Sequence, residues 1–269
     1  MILQVWTLGA VTTIITDKTG TLTQNTLTVK KIGGLGNSDY HVSGEGWSPV
    51  GNFTKNNKII DPNNDKVLSR IIKIAGISNN SEIKHNIQKN QYELMGDPTE
   101  GALLCMSRKA SLSLLEEETK QKLDDLPFNS KLKIRATLLA NREIKELLIV
   151  GAPEKILQLS TQILTEKGEV KISDQDREAL HNKIESWSED AMRVIGLAYK
   201  KVNPNTEKID EQDLGDLVFA GITGMIDPPR PDTRKAVENC KKAGIRVIMA
   251  TGDHINTAIA IAKSVSIID

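Results

Sequence analysis

Asp17, Lys18, Thr19, Gly20, Thr21, Leu22 and Thr23 put a carboxylate, a cation, a glycine and three hydroxyls into seven consecutive positions. That set suits phosphoryl transfer with the Asp17 carboxylate as nucleophile. An aspartate is already ionised near neutral pH and attacks phosphorus without a base, provided a divalent cation masks the repelling phosphate oxygens. Lys18 supplies a fixed positive charge, Thr19, Thr21 and Thr23 donate hydrogen bonds, and Gly20 lets the backbone approach a phosphate closely.

Such residues need a rigid support. The run Val11 to Thr16 is β-branched throughout and too short for a helix, so it predicts a strand buried on both faces of a parallel sheet, with Asp17 at its carboxyl end. Ligands bind at that edge of open α/β sheets. A second α/β unit lies near the other end of the sequence. There Asp227-Pro228-Pro229-Arg230-Pro231 precedes a helical pattern from Asp232 to Ala243, which Gly244 closes as a C′ residue. A strand follows at Ile245 to Ala250, then Thr251-Gly252-Asp253, then a helical pattern from His254 to Val265. Strand, polar turn and helix N-terminus together form a place for an anion.

DKTGTLT followed by Gln24-Asn25, with DPPR and TGD in that order, resembles the P-type ATPases of the haloacid dehalogenase superfamily. The resemblance implies Asp17 as nucleophile, Lys18, Thr19, Thr251, Gly252 and Asp253 as its catalytic companions, and Mg²⁺ held by the Asp17 carboxylate and the Thr19 carbonyl. Many phosphatases of the superfamily carry a second aspartate two places after the nucleophile to activate water. Here that residue is Thr19, which implies a phosphoenzyme that persists through a conformational change. The implied fold is α/β: a partial, discontinuous Rossmann-like phosphorylation domain at 1–25 and 228–269, interrupted at 26–227 by an α+β nucleotide-binding domain on an antiparallel sheet. The connections near Asn25 and Asp227 would act as hinges.

Within the insert, Gly96-Asp97-Pro98-Thr99-Glu100-Gly101 resembles the family's segment that opens a helix beside the nucleotide. Asp97 reads as N-cap and Pro98 as N1, while Glu100 reads either as a contact near the adenine or as a first-turn capping residue. Pro127 to Lys133 resembles the family's adenine segment, which implies Phe128 stacked on the base and Lys133 near the phosphates; read from the residues alone, Phe128 fits a strand core as well. Gly151-Ala152-Pro153-Glu154 resembles KGAPE with Val150 where the lysine is expected. Losing a charge-assisted contact costs roughly 1.5–3 kcal/mol, or about 10- to 100-fold in affinity, unless Lys133 or Arg193 compensates. Arg193 matches the family's arginine at the nucleotide phosphates and otherwise reads as a snorkelling surface residue. Gly151, Asp227 and Arg230 complete the implied nucleotide set. A smaller departure is Trp6, at a position usually occupied by glutamate, which bears on linkage to a membrane stalk.

Thirty-five basic and 35 acidic residues leave no net charge, so nothing argues for nucleic acid or an anionic membrane surface as partner. The chain has 269 residues, 39% hydrophobic and 26% charged, which suits two domains. Cys105 and Cys240 lack metal-type spacing and read as buried free thiols. No apolar run approaches the roughly 20 residues of a membrane helix, so the resemblance implies the soluble cytoplasmic-face part of a longer membrane protein. Its partners would be ATP and the transmembrane and actuator domains of the same protein, with the transported cation bound elsewhere. Calcium leads among type II cations, with sodium, potassium and proton pumping open. The family's Gly-Asp-Gly-x-Asn-Asp segment does not occur in these residues, which predicts little autophosphorylation by this chain alone. A soluble phosphohydrolase of the same superfamily and a non-catalytic nucleotide-binding module are the alternatives. Asn56-Asn57, Asn63-Asn64 and Asn79-Asn80 read as loops, and Glu116 to Asp125 reads as a solvated helix.

Overall fold

A computed structural model describes residues 11–36, 39–111, 121–141, 144–252 and 255–268. In chain order the elements begin with β1 (Thr13–Asp17), β2 (Thr28–Gly33), β3 (Tyr40–Val42), β4 (Phe53–Lys55), β5 (Lys58–Ile60) and α1 (Lys66–Ile77). Next come β6 (Glu82–Asn86), β7 (Gln91–Met95), α2 (Pro98–Lys109), β8 (Lys122–Asn129), β9 (Ile134–Asn141), β10 (Ile144–Gly151) and α3 (Pro153–Leu159). The chain continues through β11 (Ser160–Thr165), β12 (Gly168–Lys171), α4 (Asp174–Glu189), β13 (Arg193–Val202) and β14 (Leu217–Ile226). It closes with α5 (Thr233–Lys242), β15 (Arg246–Ala250) and α6 (Ile255–Ser264).

Two compact units emerge. One holds the described residues of Met1–Thr26, Ser188–Met192 and Asp227–Asp269; the other holds Leu27–Trp187 and Arg193–Ile226.

The larger unit is built on an 11-stranded sheet, in which β5-β4-β3-β2-β14-β13-β10-β9-β8 run side by side and antiparallel. β11 runs parallel beside β14, and β12 pairs with β11. Strand β14, with the sequence LVFAGITGMI, is buried along nine of its ten residues, as expected for a strand flanked by neighbours on both edges. Helix α1 covers one face of this sheet. Its Asp65 N-cap accepts from the amides of Val67 at 3.1 Å and Leu68 at 3.0 Å, satisfying two of the four orphan donors of the first turn. Val67, Leu68, Ile71, Ile72, Ile74, Ala75 and Ile77 are buried, joining α2 and the sheet in one core. At roughly 1.5–3 kcal/mol per large apolar side chain, this helix face alone contributes on the order of 10 kcal/mol before ordering entropy is counted.

Asn56 and Asn57 both have positive φ, 51° and 61°, and form the two-residue turn between β4 and β5, the geometry that favours asparagine in tight hairpins. The expectation of a helix from Glu116 to Asp125 is corrected where it can be assessed. Residues 112–120 lie outside the described residues, but Lys122–Asn129 is strand β8, paired antiparallel with β9. Sheet-edge pairing with the apolar strand β9 overrides the helical charge pattern here. As the outermost strand in this order, β8 tolerates Pro127, and its register shifts between Leu126 and Asn129.

The smaller unit contains a two-stranded parallel sheet in which Thr13 pairs with Arg246 and Asp17 with Ala250. A strand ending at Asp17 is observed, but its burial on both faces is not. Four of the five β1 residues are exposed, Ile15 by 71%. Among the described residues only β15 borders it, so its other edge and much of its faces meet solvent. The helix expected from Asp232 to Ala243 is α5, with those two residues as its caps, and Gly244 follows at φ 75°. Its amide donates to the Lys241 carbonyl at 3.0 Å, the left-handed C′ geometry that favours glycine. No helix among the described residues is long and apolar enough to cross a membrane.

Candidate functional site

Parallel pairing brings the ends of β1 and β15 together, so exposed Asp17 lies beside Ala250 in register and Thr251 follows directly. After Asp17 the chain turns sharply. Thr19 has φ −74°, ψ 122° and Gly20 has φ 75°, ψ −9°, the values of a type II turn, whose third position requires positive φ and therefore favours glycine. The Lys18 carbonyl accepts from the Thr23 amide at 3.1 Å, which closes the loop, and Lys18 itself is buried.

Asp227 and Arg230 brace this loop. The Thr23 hydroxyl, fully buried, donates to Asp227 Oδ2 at 2.5 Å, and the Thr26 amide donates to Asp227 Oδ1 at 3.0 Å. Arg230 Nη2 donates to the Gly20 carbonyl at 2.6 Å, while the Arg230 amide and the Thr233 hydroxyl donate to the Leu22 carbonyl, both at 2.9 Å. The DPPR segment thus holds the Gly20–Thr23 loop through the Gly20 and Leu22 carbonyls and the Thr23 hydroxyl. Gly252 is exposed. Asp253 lies outside the described residues, as do Val5 to Gly9 and with them Trp6.

In the larger unit, sheet register aligns the other expected residues at one end. Asn129 pairs with Ile134, Ile134 with Gly151, and Gly151 with Gly196. Phe128 on β8 is 59% exposed, so it is not a core residue and its ring is available to a planar ligand. Lys133 is exposed in the β8–β9 turn with φ 57°. Gly151 has a packing reason of its own, because a Cβ there would stand 2.3 Å from the Lys133 carbonyl oxygen and 2.7 Å from Ile134 Cα. Backbone atoms cannot yield as a flexible side chain can, so Gly151→Ala is expected to destabilise the unit by about 1–3 kcal/mol and to lower its urea midpoint with an unchanged m-value.

Asp97 caps α2 by accepting from the amides of Thr99 at 2.8 Å and Glu100 at 3.1 Å, with Pro98 in the first turn. Arg193 opens β13 and donates through Nη1 to the Thr99 hydroxyl at 2.9 Å, which ties the strand to the same helix terminus. Glu100 does not close a capping box. Its Oε2 accepts from the Asn80 amide at 2.7 Å and its Oε1 from Arg135 Nη1.

Arg135 is absent from the sequence-based set and holds this end together. Its side chain is 3% exposed, and Nη2 donates to Asp125 Oδ2 at 2.6 Å. Asp125 also accepts from the Thr137 hydroxyl at 2.7 Å and Asn80 Nδ2 at 2.9 Å. Burial alone would raise the Asp125 pKa, but the bonds from Arg135, Thr137 and Asn80 outweigh it and hold the carboxyl below its ordinary value. A carboxyl depressed in the folded state stabilises above the unfolded value of about 3.9, and loses that contribution as pH falls through the folded value. Urea unfolding at a series of pH values should therefore show stability declining below about pH 4, with a shallower decline in Asp125→Asn. The signal that could have exposed Arg135 is a lone charge within the run Ile134 to Ala140, whose other residues are apolar apart from Thr137.

Val150 is buried in the main core with Leu148 and Leu197. Of the cysteines, Cys105 is buried and Cys240 half-buried, both free.

Comparison with known proteins bears on the family of the chain. Residues 67–232 match the family described as P-type ATPase, cytoplasmic domain N. The chain is 36% identical over 264 residues to a Calcium-transporting ATPase of Bacillus subtilis, covering 97% of this chain and 29% of that protein. It is 37% identical over 268 residues to the Cation-transporting ATPase pma1 of Synechocystis, with the same two coverages. A Sodium/potassium-transporting ATPase subunit alpha-2 of Gallus gallus is 33% identical over 277 residues, covering 97% of this chain and 26% of that protein. The chain thus spans less than a third of the length of these relatives. A domain match over more than half of its residues, set on an antiparallel sheet with α1 and α2 against it, makes this chain a member of the P-type ATPase family that contains the cytoplasmic domain N.

Proposed function

We propose that residues 26–227, which contain the larger unit, form an ATP-binding domain inserted into a haloacid dehalogenase-type phosphorylation domain formed by 1–25 and 228–269, and that Asp17 accepts the γ-phosphoryl group. The observation that carries the nucleotide half is exposed Phe128 at the same sheet end as Lys133, with Glu100 and Arg193 bonded around the start of α2. Phe128 supplies a face for the adenine ring, Glu100 an acceptor for its amino group, and Lys133 and Arg193 positive charge for the phosphates. Gly151 keeps the β9–β10 ladder close enough to form the floor.

For phosphoryl transfer, support comes from Asp17 standing exposed at the end of β1, where the chain enters a loop braced by Asp227 and Arg230. Lys18, Thr251, Gly252 and Asp253 would contact the transferring group. The Asp17 carboxylate and the Thr19 carbonyl are hard oxygen donors of the type magnesium takes; when bound there the ion would neutralise phosphate oxygens. Thr19, which cannot act as a carboxylate base, favours a lasting phosphoaspartate over a phosphatase cycle. ATP hydrolysis by the whole protein would drive cation transport through transmembrane and actuator domains, with this region on the cytoplasmic face.

Calorimetric titration of the chain with ATP, with and without magnesium, tests the nucleotide half. Saturable one-to-one binding is expected, and a folded chain that binds no ATP would overturn it.

A further inference from the structure

Arg135 and Val150 are direct partners in the β9–β10 ladder. Directly paired residues of antiparallel strands project to the same face, so the Arg135 side chain leaves the sheet beside the position where the family resemblance calls for a lysine. The guanidinium is 3% exposed, and its Nε is buried with no partner among the described residues. Burying a cation and leaving one of its donors unused is costly, and an apolar residue of the same volume is often at least as stable. Core packing therefore does not account for an arginine here.

Its effect falls on Glu100. One Glu100 oxygen accepts from Arg135 and the other from the Asn80 amide, so the carboxylate is fixed at both ends and, as the anion of an ion pair, can only accept further hydrogen bonds. Asp125, the second anchor of Arg135, lies three residues along β8 from Phe128. An acceptor-only group near a base-stacking ring favours a base edge that presents an amino donor and penalises one that presents an oxo acceptor.

We infer that Arg135 is a specificity-determining positioning residue of the nucleotide site. It supplies from β9 the cation missing at position 150, and by fixing Glu100 it makes the site select 6-aminopurine over 6-oxopurine nucleotides. This rests on the reading of the Phe128 end as the nucleotide site.

Parallel titrations with ATP and ITP, which differ at the purine 6 position, test it. The unmodified chain should bind ATP at least ~10-fold more tightly than ITP, the size expected for one hydrogen bond to a charged group. Arg135→Met and, independently, Glu100→Gln should bring the two affinities within about threefold, since a glutamine amide both donates and accepts. Arg135→Lys should retain part of the preference, and Arg135→Met combined with Val150→Lys should restore it by returning the cation from the opposite strand. Glu100→Gln keeps the test decisive if Arg135→Met does not fold. An unmodified chain that binds ATP and ITP equally, or a folded Arg135→Met or Glu100→Gln that keeps the preference, overturns the inference alone. A chain that binds neither nucleotide overturns the underlying reading as well.

Discussion

Phe128→Ala should weaken ATP binding by roughly 5- to 150-fold, the equivalent of the 1–3 kcal/mol that base stacking on an aromatic contributes. The same substitution should leave thermal and urea unfolding nearly unchanged. Phe128 is 59% exposed, and surface substitutions away from special features usually stay within about 0.5 kcal/mol. That separation distinguishes a ligand contact from a packing role: a buried phenylalanine replaced by alanine costs about 3–5 kcal/mol of stability. Phe128→Trp should retain most of the affinity, because the ring face is kept. Unchanged ATP affinity in a folded Phe128→Ala would remove the stacking surface from the proposed site and leave Glu100 and Arg193 without a base to orient.

What the sequence disclosed and what it hid divide along a physical line. Features specified by neighbouring residues were legible: the strand ending at Asp17, the Asp97–Pro98 start of α2, the Gly244 terminus of α5 and a loop at Asn56-Asn57. Each depends on a local rule, a β-branched run, a cap, or a residue that accepts positive φ. Hidden were the features that arise only when distant strands meet. The network of Asn80, Glu100, Asp125, Arg135 and Thr137 draws on two strands, a helix terminus and a loop, and no spacing along the chain announces it.

Exposure was misjudged for the same reason. A β-branched run fits a strand covered on both faces, but coverage is a property of the neighbours, and among the described residues β1 has one. Expecting a helix from Glu116 to Asp125, where strand β8 begins at Lys122, follows from a charge pattern that a solvated helix and an edge strand share. The bracing of the Gly20 loop by Asp227 and Arg230 could not be inferred from either segment alone, since the partners lie about 200 residues apart in sequence. It holds the backbone that follows Asp17 through the Gly20 and Leu22 carbonyls and the Thr23 hydroxyl.

In a protein carrying this chain together with the Gly-Asp-Gly-x-Asn-Asp segment that the family resemblance calls for, Asp17→Asn should abolish formation of an acid-stable, hydroxylamine-labile phosphate from ATP. Removing a covalent nucleophile typically lowers turnover by roughly 10⁴-fold or more, which for a stoichiometric intermediate means no detectable label. Asparagine keeps the size of the side chain and loses the negative charge that attacks phosphorus. Asp17 is exposed and pairs with Ala250 through its backbone, so stability should hold. Nucleotide affinity should also hold, because Phe128, Glu100, Lys133 and Arg193 belong to the other unit. Asp17→Glu should fail as well, since one added methylene moves the carboxylate out of line with a loop fixed by Asp227 and Arg230, and in-line attack loses about 10²-fold for a displacement near 1 Å. Mass spectrometry of acid-quenched protein reads the result directly. A phosphate that persists in Asp17→Asn would assign the nucleophile to another residue and reduce the braced loop to a phosphate-binding turn, whereas its loss with intact ATP binding would separate the two halves of the proposed reaction, capture in one unit and transfer in the other.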